Sequence, residues 1–154
     1  MPSDRRLSDL YPSFREKVER VLAAMNAYAA KNMPGYTWKV IEGYRTAKYQ
    51  NELYQKGRTR PGSIVTFKDG YTAESNHQSS LAVDIAPMHG YDVEWGVDSK
   101  HWDYLGHCYR AEGLTWGGSW EKLRDMPHGE WPTSDKTTYL DARKWQRQNG
   151  LRHD

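Results

Sequence analysis

The segment Ser75 to Pro87, SNHQSSLAVDIAP, sets an aspartate, Asp84, inside a short apolar run made by Leu81, Ala82, Val83, Ile85 and Ala86. Such a run, bounded by polar residues and Pro87, reads as a central strand over Leu81 to Ala86. A buried carboxylate is costly unless it is paired or holds a metal. Any fold open to this chain must therefore bring Asp84 its partners.

The surrounding pattern is mixed. Phe14, Val18, Val21, Leu22, Met25 and Tyr28 recur at helical spacing, and Pro12 suits a first turn, so 12–31 is expected to be a helix. Thr37 to Tyr44 alternates and is expected to be a strand. Thr46 can cap a second helix, with Tyr49, Leu53 and Tyr54 inward and Gly57 as its stop. A short strand near Ile64 to Phe67 and a turn at Asp69-Gly70 follow. Ser99 can cap a third helix that carries Trp102, Leu105 and Tyr109 and closes at Gly113. Leu114 to Trp116 reads as a strand. Pro127 keeps the following segment out of a regular helix, and Thr137 to Gln148 reads as a last one. Helices around a small, largely antiparallel sheet make the fold class α+β. No internal repeat or linker divides the chain, so residues 1–154 are read as a single domain.

Composition narrows the function. Seven Trp and eleven Tyr among 154 residues argue against disorder. A net charge of +2 gives no electrostatic case for nucleic acid. A single cysteine, Cys108, rules out an internal disulfide framework and reads as a small core residue. No apolar run approaches the ~20 residues of a membrane span, so no stable membrane insertion is expected. The first residues lack the apolar stretch of a secretory signal. Synthesis in the cytoplasm is therefore expected, with some other route to any target outside the membrane.

Of six histidines, His77 and His128 stand out, each having a carboxylate at a useful offset. His101 and His107 read as packing or surface residues, His89 as a loop residue and His153 as part of the terminus. Two His and one Asp form a legitimate zinc set when a fourth position stays open for water. His77 lies seven residues before Asp84, which on one strand would put them on opposite faces. A turn at Gln78-Ser79-Ser80 can bring both to one ion, with His128 as third ligand. Asp125, three residues before His128, then stands where a general base is needed. On spacing alone a second reading stays open: Asp84 hydrogen-bonds a turn and the histidines are satisfied core residues.

Ser75-x-His77 followed by Ala82-x-Asp84 resembles the first zinc-binding motif of the D-Ala-D-Ala metallopeptidase (VanX/VanY-like) family. Glu42 to Gly62 is similar to the segment that precedes it there, with Gly-Tyr-Arg, a following Gln and a Leu-Tyr pair. Gly113 to His128, with Trp116-Gly117-Gly118 ahead of Asp125-x-x-His128, resembles the second motif of the phage L-alanyl-D-glutamate endopeptidase branch. The match runs from about Leu10 to Trp131. One departure is Ser80, where the family usually has Gly for a tight turn; a slightly altered turn is expected. There is no HExxH, so thermolysin-like peptidases are not the pattern.

The resemblance implies a hedgehog/DD-peptidase-like fold and zinc on His77, Asp84 and His128. It implies Asp125 as catalytic acid/base and Arg45 as the cation that stabilises an oxyanion or holds a substrate carboxylate. Gln50 and Ser75 fall at substrate-binding positions. The implied activity is hydrolysis of peptidoglycan stem peptides by a monomeric phage endolysin that cuts the L-alanyl-D-glutamate bond after release from the host cytoplasm. The alternatives are a D-Ala-D-Ala carboxypeptidase or dipeptidase, and a non-catalytic wall-binding or virion protein. Trp116, Trp120 and Trp131 are candidates for the walls of a groove, though each also suits the core. The basic stretch Asp141 to Arg152 reads as a solvated helix packed on the core rather than an envelope contact.

Overall fold

The structure is a computed structural model that describes residues 4–154. Its helices are α1 (Pro12–Asn32), α2 (Ala47–Gln55), α3 (Ser99–Ala111) and α4 (Lys136–Gln148). Its strands are β1 (Thr37–Glu42), β2 (Ala82–His89), β3 (Asp92–Val93), β4 (Thr115–Trp116) and β5 (His128–Glu130). The strands form one sheet in the order β1-β2-β5-β4, all antiparallel, with β3 paired to the end of β2. This is the expected α+β architecture.

α1 buries Phe14, Val18, Val21, Met25 and Ala29, one residue per turn. That stripe joins Trp38 and Val40 from β1, Val83 and Ile85 from β2, and Trp102, Leu105 and Tyr109 from α3 in the main core. Strand alternation sends Val83 and Ile85 to this core and Asp84 to the other face. β2 has neighbours on both edges and is buried along Ala82–Met88. A carboxylate can therefore sit within an apolar run: one face of β2 is core, and the other is the floor of a site.

Three local expectations are corrected. Ile64 to Phe67 is not a strand but part of the loop after α2, with Ile64, Val65 and Phe67 exposed. β-rich composition needs a neighbouring strand to become one. β2 does not stop before Pro87 but runs to His89. The Pro87 carbonyl accepts from Glu94, just past the end of β3, so the missing N–H lies where that short ladder has already stopped. The cap of α3 is Asp98, whose side chain accepts from Lys100 N, and Ser99 is the first helical residue. Thr46 does cap α2, accepting from Tyr49 N at 3.1 Å. α4 packs through Tyr139, Ala142 and Gln146 and leaves Lys144 and Arg147 exposed.

Candidate metal centre

Register builds the site. Asp84 on β2 lies opposite His128 on β5 and opposite Glu42 on β1. Directly opposed residues share a face, so all three side chains project together. The Glu42 pairing depends on a register shift between Val40 and Glu42. Without that bulge, apolar Ile41 would stand opposite Asp84.

His77 reaches the same point from a 3-10 turn, Asn76–Ser79. Ser75 closes a capping box there: its Oγ accepts from His77 N at 3.3 Å, and Gln78 Oε1 accepts from Ser75 N at 2.9 Å. The chain reverses at Ser80, which adopts the left-handed conformation with φ 59°. That is the conformation for which glycine is favoured. Here the serine hydroxyl is held from outside, accepting from Gln146 Nε2 at 2.8 Å. The turn expected between His77 and Asp84 is thus present, and Ser80 occupies it.

The three donors converge. His128 Nδ1 lies 3.2 Å from Asp84 Oδ1 and 3.3 Å from His77 Nε2, and His77 Nε2 lies 3.7 Å from Asp84 Oδ1. All three residues are buried. Bonds of 2.0–2.1 Å at tetrahedral angles would hold such donors about 3.3–3.4 Å apart, close to the separations found. The outer nitrogens are occupied: His77 Nδ1 faces Gly43 O at 2.7 Å, and His128 Nε2 faces Glu130 Oε1 at 2.6 Å. With a metal on the inner nitrogen, each outer nitrogen would carry the N–H of a neutral ring. The inner nitrogens are directed, with a carboxylate, at one point. Three acceptors around one point call for a cation, and the N, N, O set suits zinc.

Charges around this point are strongly coupled. Burial opposes ionisation of Asp84, but His77 and His128 hold its carboxyl well below the usual carboxylate range. Burial and the Arg45 charge lower the His77 pKa, keeping the ring neutral as a ligand must be. In the metal-free chain burial also works against a charged His128. Its hydrogen bonds to Asp84 and Glu130, with the nearby carboxylate charges, nonetheless raise it to about 10. A bound metal would replace that proton.

Asp125 stands beside the donors without joining them. Its Oδ2 is 3.7 Å from His128 Nδ1. Burial, then the charge of Asp84, raises its carboxyl to about 6, within the range useful to a general base near neutral pH. Its position is set by the turn before β5: Asp125 N donates to Gly117 O at 3.0 Å, and Trp116 Nε1 to Met126 O at 2.7 Å. A Cβ on Gly117 would lie 2.5 Å from Asp125 O, and one on Gly118 would lie 2.1 Å from the Trp116 indole. Trp116-Gly117-Gly118 therefore has a steric reason: only bare backbone lets this turn close.

Arg45 completes the arrangement. Its Nε pairs with Glu42, its Nη2 lies 3.6 Å from Asp84 Oδ2, and its Nη1 donates to Gln50 Oε1 at 3.0 Å. Burial disfavours its charge, but Glu42 and Asp84 raise its pKa further. Gln50 is fully buried behind Arg45 and donates to Thr66 Oγ1 and Lys68 O. The structure thus sets Gln50 against Arg45 instead of at an open surface, and gives the Ser75 oxygen to a turn cap. Of the three tryptophans, Trp120 lies against the site, its ring 4.9 Å from that of His128. Trp116 belongs to the core, and Trp131 packs against it with its Nε1 donating to Asp135.

Sequence reasoning missed Glu42, Glu130 and the Gly43 carbonyl. A signal existed for Glu130, two residues beyond His128 on a strand. None existed for Glu42, whose position follows from the bulge, or for a backbone carbonyl.

A sequence profile of the family described as D-alanyl-D-alanine carboxypeptidase matches residues 69–131, which span both motifs. The chain is 34% identical over 131 residues to the peptidoglycan L-alanyl-D-glutamate endopeptidase CwlK of Bacillus subtilis, covering 80% of this chain and 74% of the relative. Among solved structures it resembles the L-Ala D-Glu endopeptidase ChiX of Serratia marcescens, with TM-score 0.54 and 22% identity over 84% of this chain and 86% of the other. It also resembles the vancomycin-resistance D,D-pentapeptidase VanY, solved with Zn(II), with TM-score 0.54 and 18% identity over 85% and 78% of the two chains. The likeness in fold agrees with the convergent His, Asp and His, and the chain belongs to the D-alanyl-D-alanine carboxypeptidase family of zinc metallopeptidases.

Proposed function

We propose that this chain, as a single catalytic domain, hydrolyses the L-alanyl-D-glutamate bond of peptidoglycan stem peptides. Zinc would be held by His77, Asp84 and His128. The observation that carries the peptidase reading is the convergence of those three donors with Asp125 at 3.7 Å from one of them and Arg45 at 3.6 Å from another. The choice of bond is supported by the 34% identity to CwlK over most of both chains.

Zinc, when bound, supplies the charge that brings the pKa of a water towards ~7 and polarises the scissile carbonyl. Asp125, half-exposed and adjacent to the donors, takes a proton from the attacking water. The same carboxyl then returns it to the leaving amine. Arg45 is held on one side by Glu42 and on another by Gln50, so its guanidinium is fixed in direction. It stabilises the developing oxyanion or a substrate carboxylate. Gln50 serves by holding Arg45, and Ser75 by capping the turn that carries His77.

The endolysin role belongs to the same proposal, with synthesis in the host cytoplasm and action on the wall as a monomer after release. Among the described residues no helix is long and apolar enough to cross a membrane. A second reading, terminal D-alanine release, is supported by the description of the matching family. Digestion of purified peptidoglycan with labelling of new amino termini separates the two. New N-terminal glutamate is the expected result. Free D-alanine without new glutamate amines would overturn the choice of bond, and no release by a zinc-loaded protein would overturn the peptidase assignment. For the endolysin role, cells that express the chain internally are expected to lyse only once their membrane is permeabilised.

A further inference from the structure

Glu130 lies two residues after His128 on β5, so strand alternation sends both side chains to one face. Its Oε1 meets His128 Nε2 at 2.6 Å, and its Oε2 accepts from Asn76 Nδ2 at 2.7 Å. Asn76 immediately precedes His77. One carboxylate thus joins the strand that carries one ligand to the turn that carries another, and it is buried, 7% exposed.

We propose that Glu130 is a positioning residue that holds the His128 ring with Nδ1 open towards the metal. The inference rests on the zinc assignment made above. A neutral imidazole has one N–H, and only the other nitrogen can bind metal. Two carboxylates compete for that hydrogen: Asp84 Oδ1 lies 3.2 Å from Nδ1, and Glu130 Oε1 lies 2.6 Å from Nε2. At 2.6 Å against 3.2 Å, the bond to Glu130 is the stronger of the two. It keeps the hydrogen on Nε2 and leaves the Nδ1 lone pair facing His77 and Asp84. Without Glu130, Asp84 would draw the hydrogen to Nδ1, and the coordinating position would be blocked by the chain's own ligand. The same bond prevents a half-turn of the ring. Asn76 fixes the second oxygen, so the carboxylate is held on both sides.

The test compares wild type, Glu130→Ala and Glu130→Gln as full-length protein by zinc competition against a fluorescent chelator. Outer partners of ligating histidines are worth 10–100-fold in metal affinity. Glu130→Ala is therefore expected to bind zinc about 10–100-fold more weakly. Glu130→Gln is expected to recover part of the loss, because its amide oxygen can accept from Nε2 while Asn76 turns its own amide. In the zinc-loaded wild type, imidazole nitrogen NMR is expected to show a slowly exchanging His128 Nε2 proton. That proton should exchange rapidly in Glu130→Ala and be slowed again in Glu130→Gln. A merely structural role would leave this signature in place. Zinc affinity within about twofold of wild type, with the Nε2 proton unchanged, would overturn the proposal. If Glu130→Ala does not fold, Glu130→Met, which keeps the volume without an acceptor oxygen, carries the same criterion. Failure of the wild type to bind zinc would overturn the underlying metal assignment instead.

Discussion

The floor and the rim of the site are built differently. The floor is made by β1, β2, β5 and the turn Asn76–Ser79, and its ligand candidates His77, Asp84 and His128 are 1%, 7% and 5% exposed. Each ligand candidate is held by a partner: Gly43 O for His77, Glu130 of the same strand for His128, and His128 across the sheet for Asp84. The rim runs from Gly117 to Pro127 and carries Asp125, whose side chain is 40% exposed. Its shape comes from backbone bonds and two glycines, with Leu123 at φ 47°. Holding a metal requires donors that do not move. Passing a proton from water to a leaving amine requires a carboxylate with access to both. On the mechanism proposed above the two demands fall on two regions, so binding and turnover are expected to be separable by substitution.

The largest effect is expected in the floor. Alanine at His77, Asp84 or His128 should abolish both zinc retention and hydrolysis, and elemental analysis of each purified variant checks it. Full zinc content in all three would break the contrast at its root. Removing the metal from wild type with a chelator should also lower the melting temperature, because a ligand that binds only the folded state stabilises it.

At the rim, Asp125→Asn should keep about one zinc per chain while kcat falls at least ~10²-fold, the usual scale for a lost general base. Near-normal turnover would make Asp125 structural, and zinc loss would make it part of the floor. Arg45→Lys tests the edge of the floor, where Arg45 touches both Glu42 and Asp84. A lysine keeps the charge but not the planar fork. Its kcat/KM is expected to fall about tenfold, equivalent to ~1.4 kcal/mol. An unchanged value would show that charge alone suffices.

The smallest effect concerns the turn beneath the floor. Ser80→Gly relieves the left-handed backbone but loses the bond from Gln146, so stability should change by less than ~1 kcal/mol. Ser80→Ala keeps the strain and loses the bond, and should cost ~1–2 kcal/mol. Chemical denaturation of both variants orders them. If alanine were as stable as the wild-type serine, the Gln146 contact would have no part in letting serine take the turn.

Much of the floor was legible in the residues because its chemistry is local. The carboxylate of Asp84 in an apolar run demands partners; spacing offered His77 and His128, and the family resemblance, more than the spacing, singled them out. The turn at Gln78-Ser79-Ser80 followed from the need to reconcile odd spacing with one ion. Helix α1 and the cap of α2 were readable for the same reason, as periodicity and capping act within a few residues. The Ile64 to Phe67 segment was misread because a strand exists only beside another strand.

The sequence by itself determined which side chains are able to hold a cation, and it set an acid beside them. Only the tertiary structure decided how they are oriented. The bulge that puts Glu42 opposite Asp84, the Gly43 carbonyl on His77, the bond from Asn76 to Glu130 and the burial of Gln50 against Thr66 and Lys68 each depend on register or packing between segments apart in the chain. Composition and spacing are properties of one stretch of chain. Direction is a property of two stretches in contact, so it becomes fixed only when the chain has folded.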